Sequence, residues 1–134
     1  MRGRFFLMKN KFLLDTHILL WWLEDDKKLK KDIKNLIVEE RNQIFVSVVS
    51  FWEISIKNRK DKLPLKTNLK TIIKESKFNI VNITPDYVLA ADSLSKIHKD
   101  PFDRMLIAQA KTEKLKLITA DPKIWRYKIS ITKA

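Results

Sequence analysis

Four acidic residues of this chain, Asp15, Glu53, Asp103 and Asp121, each follow or open an apolar segment. Asp15 ends a short apolar run and Asp121 stands just beyond another, at places where buried strands would end. In doubly wound parallel sheets, ligands bind beyond the carboxyl ends of the strands. We therefore expect the four carboxylates to gather at one edge of a sheet, in a chain that is otherwise strongly basic.

Asp103 and Glu53 lie in segments with helical patterning. Apolar residues follow Asp103 at three, four and seven positions, so its carboxylate shares the stripe of a helix that packs on the sheet. A buried carboxylate without a partner is destabilising or takes up a proton, so it needs a cation. Simpler roles remain open: Asp103 as a helix cap, and Glu53 as the capping-box partner of Ser50.

A cap role is equally open for Asp121, which precedes Pro122, while Asp100 is expected only to cap the helix near Pro101. Capping alone explains a set of four such acids poorly. Oxygen ligands, with no cysteine and two histidines in the chain, favour Mg²⁺ or Mn²⁺ over zinc. Such an ion lowers the pKa of a bound water and neutralises charge on a phosphoryl oxygen. The predicted substrate is a phosphodiester.

The formal net charge is +12, from 28 Lys and Arg against 16 Asp and Glu. This excess favours polyanionic partners, although a lysine-rich proteome explains the lysine count equally well. The only glycine is Gly3, which excludes a P-loop or a Rossmann glycine motif, so no nucleotide cofactor is expected. No apolar run approaches the ~18 residues needed to span a membrane. The lack of cysteine permits a reducing, cytoplasmic location, which we expect.

The elements that must position the acids alternate between strands and helices. Strands are expected at about 12–14, 43–49, 78–83 and 115–119, with an edge strand at 128–131. Helices are expected at about 15–23, 28–41, 51–60, 68–76, 85–97 and 102–114, with a short helical turn after Asp121. This alternation predicts an α/β protein, a three-layer α/β/α fold with a central, mainly parallel sheet.

One domain is expected over residues 12–134, since domains commonly run to about 100–150 residues. Residues 1–11 form a short basic and apolar leader that lacks the features of a secretion signal. Met8 stands directly before the first strand and is a candidate natural start; otherwise the leader is a loose extension.

Five segments carry recognisable motifs: LLDTH at 13–17, LWWL at 20–23, VSVVSFWEI at 46–54, DPFDRMLIAQA at 100–110 and ITADP at 118–122. Taken singly, each motif is modest. In this order and spacing, they resemble the PIN-domain ribonucleases of the VapC type, the toxin halves of bacterial toxin–antitoxin pairs. The resemblance extends over nearly everything from Phe12 to Tyr127.

The resemblance implies a PIN-like fold and Mg²⁺-dependent endonucleolytic cleavage of RNA. It implies an acidic site formed by Asp15, Glu53 and Asp103, with Asp121 as the more variable fourth member. Asp15 and Asp103 are the implied metal ligands, while Glu53 and Asp121 hold a second ion or orient the attacking water. It further implies a homodimer and a small antitoxin partner, which could insert an Arg or Lys among the carboxylates.

Residues around the acids have less specific roles. Thr16, Ser50 and Thr119 are placed to hydrogen-bond the acidic groups, although polar capping explains them equally well. The residues expected at an RNA-binding rim are Lys57, Arg59, His98 and Lys99. A solvated helix end explains Lys57 and Arg59 almost as well.

The aromatic residues could stack on nucleotide bases. Of the four tryptophans, Trp22 and Trp52 are expected in the core, and Trp21 on a surface that faces a partner. His17 is expected to pack on the start of its helix rather than act as a base, because a metal already supplies the nucleophile.

Other protein classes fit less well. A phosphatase of the haloacid-dehalogenase type requires a second acid two residues after the first, where this chain has His17. A response-regulator receiver requires an acidic pair before the first strand, and that pair is absent. The remaining alternative is a non-catalytic, basic nucleic-acid-binding module whose acids are helix caps.

Overall fold

The computed structural model describes residues 10–59 and 68–134. Its strands are β1 Lys11–Leu14, β2 Gln43–Ser47, β3 Asn79–Val81, β4 Lys116–Thr119 and β5 Ile131–Lys133. The helices in the described ranges are α1 Thr16–Leu23, α2 Lys31–Val38, α3 Val48–Arg59, α4 Leu69–Glu75, α5 Pro85–Asp92, α6 Pro101–Glu113 and α7 Pro122–Trp125. Most of the predicted leader, residues 1–9, lies outside the described residues.

The five strands form one sheet in the order β3-β2-β1-β4-β5, and every neighbouring pair is parallel. This confirms the predicted α/β class and its parallel sheet. Leu14, the last residue of β1, lies opposite Val46 of β2 and Ile118 of β4. The chain moves to one side of β1 for β2 and β3, then to the other side for β4 and β5. In such sheets the reversal forms a crevice beyond the carboxyl ends of the two strands where it occurs, here β1 and β4.

Helices cover both faces of the sheet, as the three-layer prediction requires. Phe12 and Leu14 of β1 point into one core, and Leu13 points into the other, because successive side chains of a strand alternate between faces. Helices α1, α2 and α4 cover the first core, and α5, α6 and α7 cover the second. Within the described ranges, no helix is long and apolar enough to cross a lipid bilayer.

Some element boundaries differ from the sequence prediction. Strand β2 ends at Ser47 rather than at residue 49, and α3 begins at once with Val48. The Ser47 hydroxyl accepts a hydrogen bond from the Val49 amide at 3.1 Å, which supports this early helix start. Ser50 therefore lies inside α3 and does not open it.

Two helices are shorter than predicted, and the edge strand is displaced. Helix α2 begins at Lys31 because the Asp26 carboxylate accepts from the Lys28 amide and the Asp26 carbonyl from the Leu29 amide, which forms a turn. Helix α5 ends at Asp92, and carbonyls on either side of this end, those of Ala91 and Leu94, accept hydrogen bonds from a side chain of α6. Strand β5 covers residues 131–133, about three residues beyond its predicted start.

Candidate functional site

Asp15 lies at the centre of the crevice, directly after β1. Its Oδ1 accepts a hydrogen bond from the Ile18 amide at 2.9 Å, so it caps α1, and its side chain is buried. Burial raises the pKa of Asp15 above its ordinary value, although hydrogen bonds from Thr119 and Ile18 oppose the shift. Asp15 therefore caps α1 through Oδ1, and its other carboxylate oxygen, Oδ2, is not used by this cap.

Glu53 enters the site from the second turn of α3. Its Oε2 lies 2.8 Å from the Lys57 ammonium, one helical turn further on. Within the described ranges, its buried Oε1 has no hydrogen-bond partner. The capping-box alternative for Glu53 and Ser50 is wrong, because α3 starts before Ser50. Instead, Ser50 Oγ accepts a hydrogen bond from the Thr16 hydroxyl at 3.0 Å.

Asp103 lies in the first turn of α6 and is not its cap. Asp100 is the cap, as predicted, and its Oδ1 accepts from the amides of Phe102 at 2.8 Å and Asp103 at 3.3 Å. Burial raises the pKa of Asp103 to about 7, and the negative charge of Asp100 adds to this. Glu53 and Asp15 raise it further, while His98 opposes the shift. These mutual effects show that carboxylates from separate parts of the chain share one environment.

Asp121 combines the two roles that its sequence position left open. Its Oδ1 accepts from the Lys123 amide at 2.9 Å, which caps α7, while its own amide donates to the Thr119 hydroxyl at 3.1 Å. Its Oδ2 faces the crevice and lies 2.9 Å from Nε2 of His98. Asp121 can therefore cap α7 and face the acidic site at the same time, because Oδ1 makes the cap and Oδ2 contacts His98.

His98 is closer to the acids than the predicted rim position suggested. Its Nε2 lies 2.9 Å from Oδ2 of Asp103 and 2.9 Å from Oδ2 of Asp121. One potential ligand atom from each of these three residues lies within 4.8 Å of the others. The Nδ1 of His98 accepts from the Asp100 amide at 3.2 Å, which orients the ring.

The comparisons with known proteins identify the family. The family model of the PIN domain matches residues 12–129, which is nearly the whole chain. The chain belongs to the PIN-domain family. Proteins of this family are generally nucleases. No curated protein matches the chain.

Solved structures share the PIN fold at low sequence identity. VapBC2 from Rickettsia felis, bound to a promoter DNA fragment, matches with a TM-score of 0.72 and 16% identity, covering 92% of this chain and 98% of that one. A toxin–antitoxin complex from Klebsiella pneumoniae matches with a TM-score of 0.65 and 23% identity, covering 91% and 96%. FitAcB from Neisseria gonorrhoeae matches with a TM-score of 0.66 and 14% identity, covering 91% of this chain and 96% of that one. These likenesses establish the fold.

The donor set of this PIN domain fits a divalent metal ion. It offers carboxylate oxygens and no sulfur, which is the ligand chemistry that Mg²⁺ and Mn²⁺ prefer, while the His98 nitrogen contacts the carboxylates of Asp103 and Asp121. The unpartnered Oε1 of Glu53 is a buried acceptor that a cation would satisfy. Burial raises the pKa values of Asp15 and Asp103, and a bound cation would oppose this by favouring the charged carboxylates.

The other predicted site residues differ in how close they come to the acids. Thr16, Ser50 and Thr119 are buried beside the acidic groups. Lys57 pairs with Glu53, while Lys99 is exposed. The side chain of Arg59 lies outside the described part of the chain, so its predicted rim role has no structural counterpart here.

The expected burial of Trp52 is wrong, since 56% of this side chain is exposed. Trp22 is half-buried against the first core, as is Trp21. His17 is exposed, with its ring 6.5 Å from that of Trp21, so it packs on its own helix.

Proposed function

We propose that this PIN domain is a Mg²⁺-dependent endoribonuclease and the VapC-type toxin of a toxin–antitoxin pair. The observation that carries the proposal is the convergence of Asp15, Glu53, Asp103 and Asp121 on one crevice of a strongly basic chain. The nuclease character common in the family supports hydrolysis of a phosphodiester. RNA as the substrate is the more specific part of the proposal.

Each acid has a defined task in this proposal. Asp15 and Asp103 hold the metal ion, and Mn²⁺ could replace Mg²⁺ because the oxygen donors suit both. The bound ion supplies charge neutralisation at the phosphoryl oxygen and acidifies a water molecule. Glu53 and Asp121 orient that water or hold a second ion. Thr119 supports this arrangement through its hydrogen bonds with Asp15 and the Asp121 amide.

Substrate attraction rests on positive charge around the acids. The net charge of +12 attracts a polyanion, and exposed Lys99 precedes the helix that carries Asp103. Lys57 holds Glu53 in the absence of metal, and we propose that it turns to a phosphate when an ion binds Glu53. His98 lies beside Asp103 and Asp121, and we propose that it holds these carboxylates.

The proposed partner is a small antitoxin, because the structural neighbours include toxin–antitoxin complexes. An Arg or Lys from such a partner could enter the acidic crevice in place of a metal ion. The contact between Lys57 and Glu53 supports this, since it pairs an ammonium with a site carboxylate. We further propose that the protein is a homodimer and lies in the cytoplasm. Light scattering of the purified protein tests the dimeric state. Unimpaired cleavage by a stable toxin–antitoxin complex would overturn the inhibitory role.

The nuclease proposal is tested by incubating purified protein with total RNA, in Mg²⁺ and in EDTA. The wild-type protein and the Asp103→Asn variant are compared, with Asp92→Asn as control, because Asp92 is exposed at the end of α5. We expect discrete fragments from wild type and from the control, only with Mg²⁺. Fragments from Asp103→Asn at the wild-type level would indicate a contaminating nuclease. RNA binding without cleavage by any variant would favour the non-catalytic binding module.

A further inference from the structure

Trp52 is a large aromatic side chain left in solvent beside the acidic crevice. Among the exposed large hydrophobic side chains in the described ranges, it is the only aromatic one. Its neighbours in α3, Phe51, Glu53 and Ile54, are all buried. More than half of the Trp52 side chain therefore remains in contact with water, and this surface is available for another role.

The Trp52 ring is held by an aromatic partner from another helix. Its centroid lies 5.2 Å from that of Phe102, and the two planes meet at 85°. In such an edge-to-face pair, either the partner's edge covers one indole face or the indole's own edge makes the contact. At least one indole face is therefore not covered by Phe102. The pair fixes the orientation of the ring and leaves a flat apolar surface for a ligand.

The Trp52–Phe102 pair lies next to two of the site carboxylates in the sequence. Trp52 directly precedes Glu53 in α3, and Phe102 directly precedes Asp103 in α6. The aromatic contact therefore joins the two helices one residue before each of two site carboxylates. Exposed Lys99 lies three residues before Phe102 in the sequence and brings a positive charge to the segment that leads into α6.

We propose that Trp52 stacks on an unpaired base of the RNA that this site cleaves. The inference rests on the proposed nuclease function and makes it more specific. An aromatic platform next to positive charge is the usual means of binding single-stranded nucleic acid. In a duplex, neighbouring bases already cover both faces of each base, so Trp52 selects single-stranded segments. The stacked base fixes the position of the adjoining phosphodiester relative to the carboxylates.

The test measures binding of fluorescein-labelled RNA in EDTA, so that no cleavage occurs. The probes are an unstructured strand of about 10 nucleotides, the same strand in a duplex, and a strand with abasic residues. Trp52→Ala and Trp52→Phe are compared with wild type. The matched control is Ile73→Ala, which removes another exposed apolar side chain, from α4.

Trp52→Ala should weaken binding of the unstructured strand about tenfold, while Trp52→Phe retains most of the affinity and Ile73→Ala all of it. Duplex and abasic probes should bind more weakly to wild type and respond little to Trp52→Ala. Equal binding of the unstructured strand by wild type and Trp52→Ala would overturn the inference. Thermal unfolding checks the fold, and Trp52→Ala should lower the melting temperature by only a few degrees, through loss of its contact with Phe102.

Two further outcomes separate this inference from its alternatives. If no RNA is cleaved but binding still depends on Trp52, the nuclease proposal fails and base stacking stands. If cleavage is robust and unaffected by Trp52→Ala, the nuclease stands and base stacking fails. A change from dimer to monomer in Trp52→Ala, seen by light scattering, would assign the ring to contact with a second copy and overturn the inference.

Discussion

The Thr16 hydroxyl donates a hydrogen bond to Ser50 Oγ at 3.0 Å, across 34 residues of sequence. Both side chains are buried. Thr16 directly follows Asp15, and Ser50 lies one helical turn before Glu53. The bond therefore holds the start of α1 against the start of α3 and sets the separation of two site carboxylates.

Replacing Thr16 with valine should destabilise the protein by about 1–2 kcal/mol, because Ser50 Oγ then loses its donor in a buried place. Metal affinity should fall as well, since Asp15 and Glu53 are held less firmly. Urea unfolding in EDTA measures the first effect, and titration calorimetry with Mg²⁺ measures the second. Thr112→Val is the control, because Thr112 is exposed on α6. A Thr16→Val variant as stable as this control would show that the hydrogen bond contributes nothing.

Removing the His98 ring should destabilise the metal-free protein by about 1–3 kcal/mol, because Asp103 and Asp121 lose their shared partner. Unfolding of His98→Ala in EDTA measures this effect. Cleavage at saturating Mg²⁺ should be reduced but not abolished, because the proposed carboxylate ligands remain. His17→Ala is the matched control, since the other histidine of the chain is exposed on α1. Equal stability of the two histidine variants would contradict the expected role of His98.

The stability of the metal-free protein should depend on pH through Asp103. Its pKa is about 7 in the folded protein, against 3.8 as the ordinary value. Between these values the folded state retains a proton that the unfolded chain releases, so this contribution to stability is lost as the pH rises through the window. Above about pH 7 the loss is complete.

Asp103→Asn isolates this effect because asparagine does not titrate. In EDTA, the melting temperature of the variant relative to wild type should rise by about 5 °C from about pH 5 to about pH 8. Mg²⁺ should abolish the difference at the higher pH by stabilising the wild-type carboxylate. A difference that does not change with pH would mean that Asp103 titrates normally.

The location of the acids was predictable because it depends on short-range patterns. The apolar run before Asp15 and the run before Asp121 specify buried strands, and parallel strands bring their carboxyl ends to one edge. The Asp100 cap was also predictable, since Asp100 and Pro101 form a familiar helix start. Such features require only neighbouring residues and one rule of sheet topology.

Features that depend on distant contacts were not predictable from the pattern. Whether Trp52 faces the core or the solvent depends on where α3 packs. Trp52 was wrongly assigned to the core because it is an apolar side chain in an apolar segment, although only its neighbours Phe51 and Glu53 are buried. The contacts of His98 with Asp103 and Asp121 form only when the turn before α6 meets the end of β4. The early end of α5 has the same origin, since it depends on a side chain from α6.

That side chain is Arg104, whose guanidinium replaces helical hydrogen bonds at the end of α5. Its Nη2 donates to the carbonyls of Ala91 at 2.7 Å and Leu94 at 3.1 Å. Its Nη1 donates to the carbonyls of Ser95 at 3.0 Å and His98 at 3.2 Å. Arg104 thereby holds the segment that presents the His98 ring to the site carboxylates.

Arg104→Lys should destabilise the protein by about 2 kcal/mol, because one ammonium cannot reach four carbonyls that the planar guanidinium reaches together. Amide hydrogen exchange should accelerate in residues 91–98, while the core strands are unaffected. Arg126→Lys is the control, since Arg126 is exposed after α7. The losses from Arg104→Lys and His98→Ala should be less than additive in the double variant, because both act through the same segment. Full additivity with unchanged exchange in residues 91–98 would show that Arg104 does not position His98.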